Sequence, residues 1–111
     1  VMGFTFKEDV SDIRNTKVVD VVRELKSFNI AVDIVDPMAH PEEVQREYDL
    51  ELITKPKNKG YDAIIVAVNH ERYRDFTEAD FERLMRDDKG VLIDLKGLFR
   101  NQIQNLAYWS L

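Results

Sequence analysis

The run Ala63-Ile64-Ile65-Val66-Ala67-Val68 constrains this chain more than any other stretch. Successive side chains of a strand point to opposite faces, so an unbroken apolar run leaves neither face for water. Strands covered on both faces belong to parallel sheets packed between helices. With 111 residues there is room for one such sheet and a single core. The expected fold is therefore α/β, a Rossmann-like three-layer sandwich with a mostly parallel sheet, in a single domain spanning residues 1–111.

The rest of the chain alternates accordingly. Val1–Phe6 reads as a short buried strand, with Gly3 allowing close approach of a neighbour. Asn15 or Thr16 can cap a helix whose apolar stripe is Val18, Val22 and Leu25, flanked by Val21 and Phe28. Asn29 suits the left-handed stop position. Ile30–Val35 is a β-branched strand that ends at Asp36-Pro37, because proline excludes its predecessor from the helical region. His40-Pro41-Glu42-Glu43 opens a second helix, with proline at its first position and Val44 and Tyr48 facing inward. Leu50 and Leu52 alternate with acids, as a short edge strand or extended connector does. The lysines of Lys55–Lys59 belong to a solubilising loop. Thr77 and Asp80 form a variant capping box before Phe81, Leu84 and Met85, and Val91-Leu92-Ile93 starts another central strand. The aromatic tail, Leu106–Leu111, is either a last strand or a segment across the core, with Tyr108 and Trp109 read as core rather than as an oligomer contact.

Composition excludes several functions. A net charge of −5 argues against nucleic acid or an anionic membrane as the main partner. Without cysteine there is no disulfide, thiolate metal site or thiol nucleophile. Neither a signal-peptide pattern nor a long apolar span is present, so a cytoplasmic setting is expected. The chain begins inside an apolar run, which suggests a domain cut from something longer. The first turn carries no glycine-rich dinucleotide motif, and no phosphate-loop lysine motif occurs anywhere. No serine has a histidine partner at a recognisable spacing, and two isolated histidines do not make a metal site. His40 reads as a helix-start residue, and His70 as structural or merely exposed.

Geometry then selects the candidate site. In an open α/β sheet, ligands sit outside the carboxyl ends of the strands. Lys7, Asp36, His70 and Lys96 each end a predicted strand, so all four belong to one rim. Two lysines at one rim suit a diphosphate, which lysine binds as a point charge. The stretch from Gly3 to Thr16 also brings Arg14, among Glu8, Asp9 and Asp12. A response-regulator receiver would need a phosphoacceptor aspartate after the middle strand. Asn69 and His70 stand there instead.

Several separate motifs occur in an order that resembles the C-terminal domain of the UDP-glucose/GDP-mannose dehydrogenase family. They are Gly3-Phe4-Thr5-Phe6-Lys7 with Asp12-Ile13-Arg14-Asn15, then Asp36-Pro37, Ala67-Val68-Asn69-His70 and Asp94-Leu95-Lys96-Gly97, closing on Tyr108-Trp109. The resemblance implies a homodimeric enzyme in which this UDP-binding domain follows an N-terminal NAD-binding domain and a central helix. Such enzymes oxidise the C6 hydroxyl of a nucleotide sugar to a carboxylate, with NAD as oxidant and a covalent thiol intermediate. It further implies that Phe6 and Lys7 contact the UDP-sugar, and that Arg14 reaches NAD bound to the other domain. Lys96 matches a position where many relatives carry a substrate-binding arginine; lysine keeps the charge and loses the bidentate fork.

The departures matter too. The family's catalytic cysteine and glycine-rich cofactor turn are absent from these residues, so no catalytic residue is expected in this chain. The Asn69-His70-Glu71 turn and Asp94–Gly97 look closer to the UDP-N-acetylhexosamine enzymes, which feed capsule and other surface polysaccharides, than to the UDP-glucose enzymes. A stand-alone nucleotide-binding or regulatory α/β module is the alternative reading.

Overall fold

A computed structural model describes all residues, Val1–Leu111. Its ladder has three parallel strands, β1 (Ala63–Val66), β2 (Val91–Asp94) and β3 (Ala107–Ser110), in that spatial order. Beyond β1 the sheet continues through single parallel bridges, Met2 to Val66, Met2 to Val35, and Ile34 to Leu52. In chain order the six extended segments therefore lie 3-2-1-4-5-6, the doubly wound arrangement. The order reverses between the Met2 segment and β1, and the crevice of such a sheet opens outside that point.

Alternation along β1 accounts for the layers. Ile64 and Val66 pack into one apolar cluster with Phe81, Met85, Leu92 and Phe99. Ile65 and Ala67 face the other, with Phe4, Ile34, Val22 and Val44. Helices α1 (Val18–Ser27) and α2 (Pro41–Tyr48) cover this second face, and α3 (Glu78–Leu84) covers the first. The sheet is thus the middle of three layers, as the apolar run required.

Local signals mostly hold. Pro41 is at the start of α2 after His40, and Thr77 with Asp80 forms a reciprocal capping box. Asn29 has φ +62°. The first two strands are much shorter than Val1–Phe6 and Ile30–Val35. Only Met2, Ile34 and Val35 bridge, and the first segment ends early because Gly3 turns to φ +98° and the chain bends at Thr5. The cap of α1 also differs: Lys17 occupies the position without a side-chain bond, while Thr16 Oγ1 accepts Val18 N–H from outside. Phe28 leaves the stripe and is exposed, since the helix ends at Ser27. The tail is a strand, but Trp109 is half exposed on the sheet's outer strand and is not core. Tyr108 is half buried, with its hydroxyl on Asp94 at 2.6 Å.

Candidate functional site

The rim at the reversal point is organised by a buried carboxylate. Asp36 is the last residue before Pro37, and its side chain is fully buried. One oxygen accepts the N–H groups of Phe4 and Thr5 at 2.6 and 3.2 Å. The other accepts those of Met38 and Ala39 at 2.7 and 3.0 Å. His70 Nε2 lies 2.9 Å from the first oxygen. Burial alone would push the Asp36 pKa up. The hydrogen bonds from His70 and the backbone outweigh it and hold the carboxyl below its usual range.

His70, at the end of the β1 run, is completely buried. Its Nδ1 accepts the backbone N–H of Asp9 at 3.0 Å, and the Asp9 carboxylate accepts Glu71 N–H at 2.8 Å. Between these anchors the chain turns outward. Thr5 is buried, while Phe6, Lys7 and Glu8 are exposed. The turn closes by Thr5 Oγ1 donating to Lys7 C=O at 2.8 Å, and by Phe6 N–H donating to Asp12 C=O at 2.7 Å.

The last strand end joins the same turn. Asp94 is buried and accepts N–H groups from Leu98 and Phe99 at 3.0 and 2.7 Å, which folds Leu95-Lys96-Gly97 back at the tip of β2. Lys96 Nζ then lies 3.8 Å from Glu8. Lys96, His70, Asp36 and the Lys7 turn therefore converge, as their positions at strand ends required. Arg14 is different. Its guanidinium extends into solvent, gripping Asp12 through Nε and Nη2 at 3.0 and 3.1 Å. That pairing lowers the Asp12 pKa and raises that of Arg14.

Two residues at this rim take their roles only from the tertiary contacts. Of the two expectations for His70 the structural one holds: it is fully buried and joins Asp36 to Asp9. The signal was its place at the end of the strand beside the first, which matters only once the strand order is known. Asn69, next to it, keeps a buried Oδ1 without a hydrogen-bond partner. A cavity of about 390 Å³ lies at the opposite edge, near the amino ends of the strands among Lys59, Arg83, Asp88 and Asn105. At the rim itself Phe6, Lys7 and Lys96 are exposed.

The backbone also decides what the rim cannot hold. A dinucleotide fold offers free N–H groups after its first strand and an acid for the ribose after its second. Here Asp36 consumes the N–H groups of Phe4 and Thr5 and is itself buried. NAD does not fit this crevice in the usual manner.

A sequence profile for the "UDP-glucose/GDP-mannose dehydrogenase family, UDP binding domain" matches residues 1–101. The chain belongs to this family. It is 48% identical over 96 residues to a UDP-N-acetyl-D-glucosamine 6-dehydrogenase of Salmonella typhi, covering 86% of this chain and 22% of the relative. With the Pseudomonas aeruginosa protein of the same name it shares 43% over 98 residues, covering 88% and 23%. Protein CapL of Staphylococcus aureus is 34% identical over 107 residues, covering 96% and 25%. The chain thus spans about a quarter of the length of these relatives. Among solved structures, the native UDP-N-acetyl-mannosamine dehydrogenase Cap5O from Staphylococcus aureus superposes with a TM-score of 0.74 at 20% identity, over 98% of this chain and 24% of that one. At that identity the likeness establishes the fold. No helix is long and apolar enough to cross a membrane.

Proposed function

We propose that this chain is the nucleotide-sugar-binding domain of an NAD-dependent 6-dehydrogenase. The parent enzyme would oxidise the C6 hydroxyl of a UDP-N-acetylhexosamine or UDP-glucose to a carboxylate for surface polysaccharide synthesis. The observation that carries this reading is the exposed Phe6-Lys7-Glu8 turn, fixed over a buried Asp36–His70 pair and met by Lys96. Lys7 and Lys96 supply point charges to a diphosphate, and Phe6, 52% exposed, offers an apolar face. The Glu8–Lys96 contact is long and solvated, so a phosphate displaces it at little cost.

Arg14 is assigned to NAD held by another domain of the same polypeptide. Its pairing with Asp12 holds the guanidinium without burying it. NAD would supply the hydride acceptor for that oxidation, and among these residues only Arg14 would reach it. The nucleophile is also supplied elsewhere, because the chain has no cysteine. An exposed rim fits a cleft completed by a second domain, and the family's homodimer belongs to that parent enzyme.

Titration of the chain with UDP, UDP-glucose and UDP-N-acetylglucosamine, followed by backbone amide shifts, tests the assignment. Shifts are expected around Lys7 and Lys96. Shifts confined to the Lys59–Arg83–Asp88 edge would overturn the site. For the parent polypeptide, NADH formation from each sugar identifies the substrate, and this chain alone is expected to form none.

A further inference from the structure

We propose that His70 is the positioning residue of this site, a neutral imidazole that clamps both ends of the Thr5–Asp9 turn presenting Phe6 and Lys7. The proposal rests on the nucleotide-sugar reading above and adds to it a residue that touches no ligand.

The proton inventory fixes the tautomer. Asp9 N–H points at Nδ1 over 3.0 Å, so Nδ1 must offer a lone pair. Thr5 Oγ1 already donates its proton to Lys7 C=O and faces Nε2 at 3.3 Å as an acceptor. Asp36 Oδ2, 2.9 Å from Nε2, is an acceptor as well. All three contacts agree on one state, with the proton on Nε2 and Nδ1 bare. A second proton, on Nδ1, would set two N–H groups face to face and release Asp9. The Asp9 carboxylate, 4.0 Å from Nδ1, and the Tyr73 ring, edge-on at 5.5 Å, complete the surroundings of the imidazole.

Asp9 needs this hold. It sits at φ +60°, a left-handed conformation that a residue with a Cβ adopts less readily than glycine. Its N–H goes to His70 and its carboxylate accepts Glu71 N–H, so both ties run to the end of the β1 segment. Thr5, at the other end of the turn, is tied by its own N–H to Asp36 and by its hydroxyl contact to the same imidazole. The residues between are the exposed ones. One side chain thus spans the turn from beneath, and binding does not have to order it.

The two ring nitrogens can be tested separately. His70→Asn keeps an acceptor at the Nδ1 position; His70→Gln keeps a donor at the Nε2 position. We expect UDP affinity to fall about tenfold more in His70→Gln than in His70→Asn, with the Asp9 amide exchanging faster only in the former. In the unsubstituted chain, an ¹⁵N scalar coupling across the Asp9 N–H···Nδ1 bond reads the clamp without any substitution. Equal affinities and equal Asp9 exchange in the two variants would overturn the proposal, as would a protonated Nδ1 in the unsubstituted chain. Should both variants unfold, the coupling alone decides. If the coupling is present and UDP does not bind, the clamp stands and the nucleotide reading fails.

Discussion

Replacing Asp36 by asparagine tests whether the strand end is a structural keystone or simply the residue before a proline. The carboxylate accepts four backbone N–H groups and faces His70 Nε2, shared between two oxygens. Asparagine has one carbonyl oxygen. Placed at the His70 side, it keeps Phe4, Thr5 and His70, while its amino group meets the N–H groups of Met38 and Ala39. Flipped, it abandons the other three. The minimum loss is two hydrogen bonds to a charged acceptor, about 1.5–3 kcal/mol each, hence about 3–6 kcal/mol. Removing a buried charge recovers part of its desolvation cost, so the lower end, about 3 kcal/mol, is expected. A domain of this size is stable by roughly 5–15 kcal/mol, and such a change is easily measured. Urea unfolding followed by far-ultraviolet circular dichroism is the assay, with an unchanged m value showing that the same transition is observed. Asp62→Asn is the control, since Asp62 is exposed and meets only Arg86 across 3.2 Å; a shift within about 0.5 kcal/mol is expected there. A loss under about 1 kcal/mol for Asp36→Asn would refute the reasoning.

Three further outcomes follow from the same structure. Because the folded Asp36 pKa lies below its unfolded value, its contribution is complete above about pH 4 and is lost as pH falls through the folded value. Acid titration of stability should show this loss, and Asp36→Asn should flatten it. Gly3→Ala would place a Cβ 2.6 Å from Val68 Cβ and 2.8 Å from Val68 N at φ +98°, so about 2–5 kcal/mol should be lost, seen as a fall of about 10 °C or more in Tm. Thr77→Ala removes the acceptor for Asp80 N–H in the capping box and should cost about 1 kcal/mol in urea unfolding.

Much of this was legible in sequence, and for identifiable reasons. The apolar run 63–68 dictated a sandwiched sheet because alternation leaves no wet face. Pro37, Pro41, Asn29 and the Thr77–Asp80 pair marked element ends, because their backbone and hydrogen-bond preferences act within a few residues. Placing Lys7, Asp36, His70 and Lys96 at one rim needed only that the strands be parallel. Motif order then gave the family, which the match over residues 1–101 bears out.

What lay beyond sequence depends on which strands are neighbours. The segment of Met2 lies between those of Val35 and Val66, and only this order brings Asp36 and His70 together beneath Thr5. A histidine at a strand end has no assigned state until its partners are known. Here Asp9, 61 residues away, supplies the donor that leaves Nδ1 bare. Trp109 shows the same limit in reverse: an aromatic tail suggests core, but β3 has no neighbour on its outer side, so half of the ring surface stays wet. Local chemistry determined the elements and the rim. Tertiary contacts decided which rim residues face outward and which, like Asp36 and His70, turn inward beneath them.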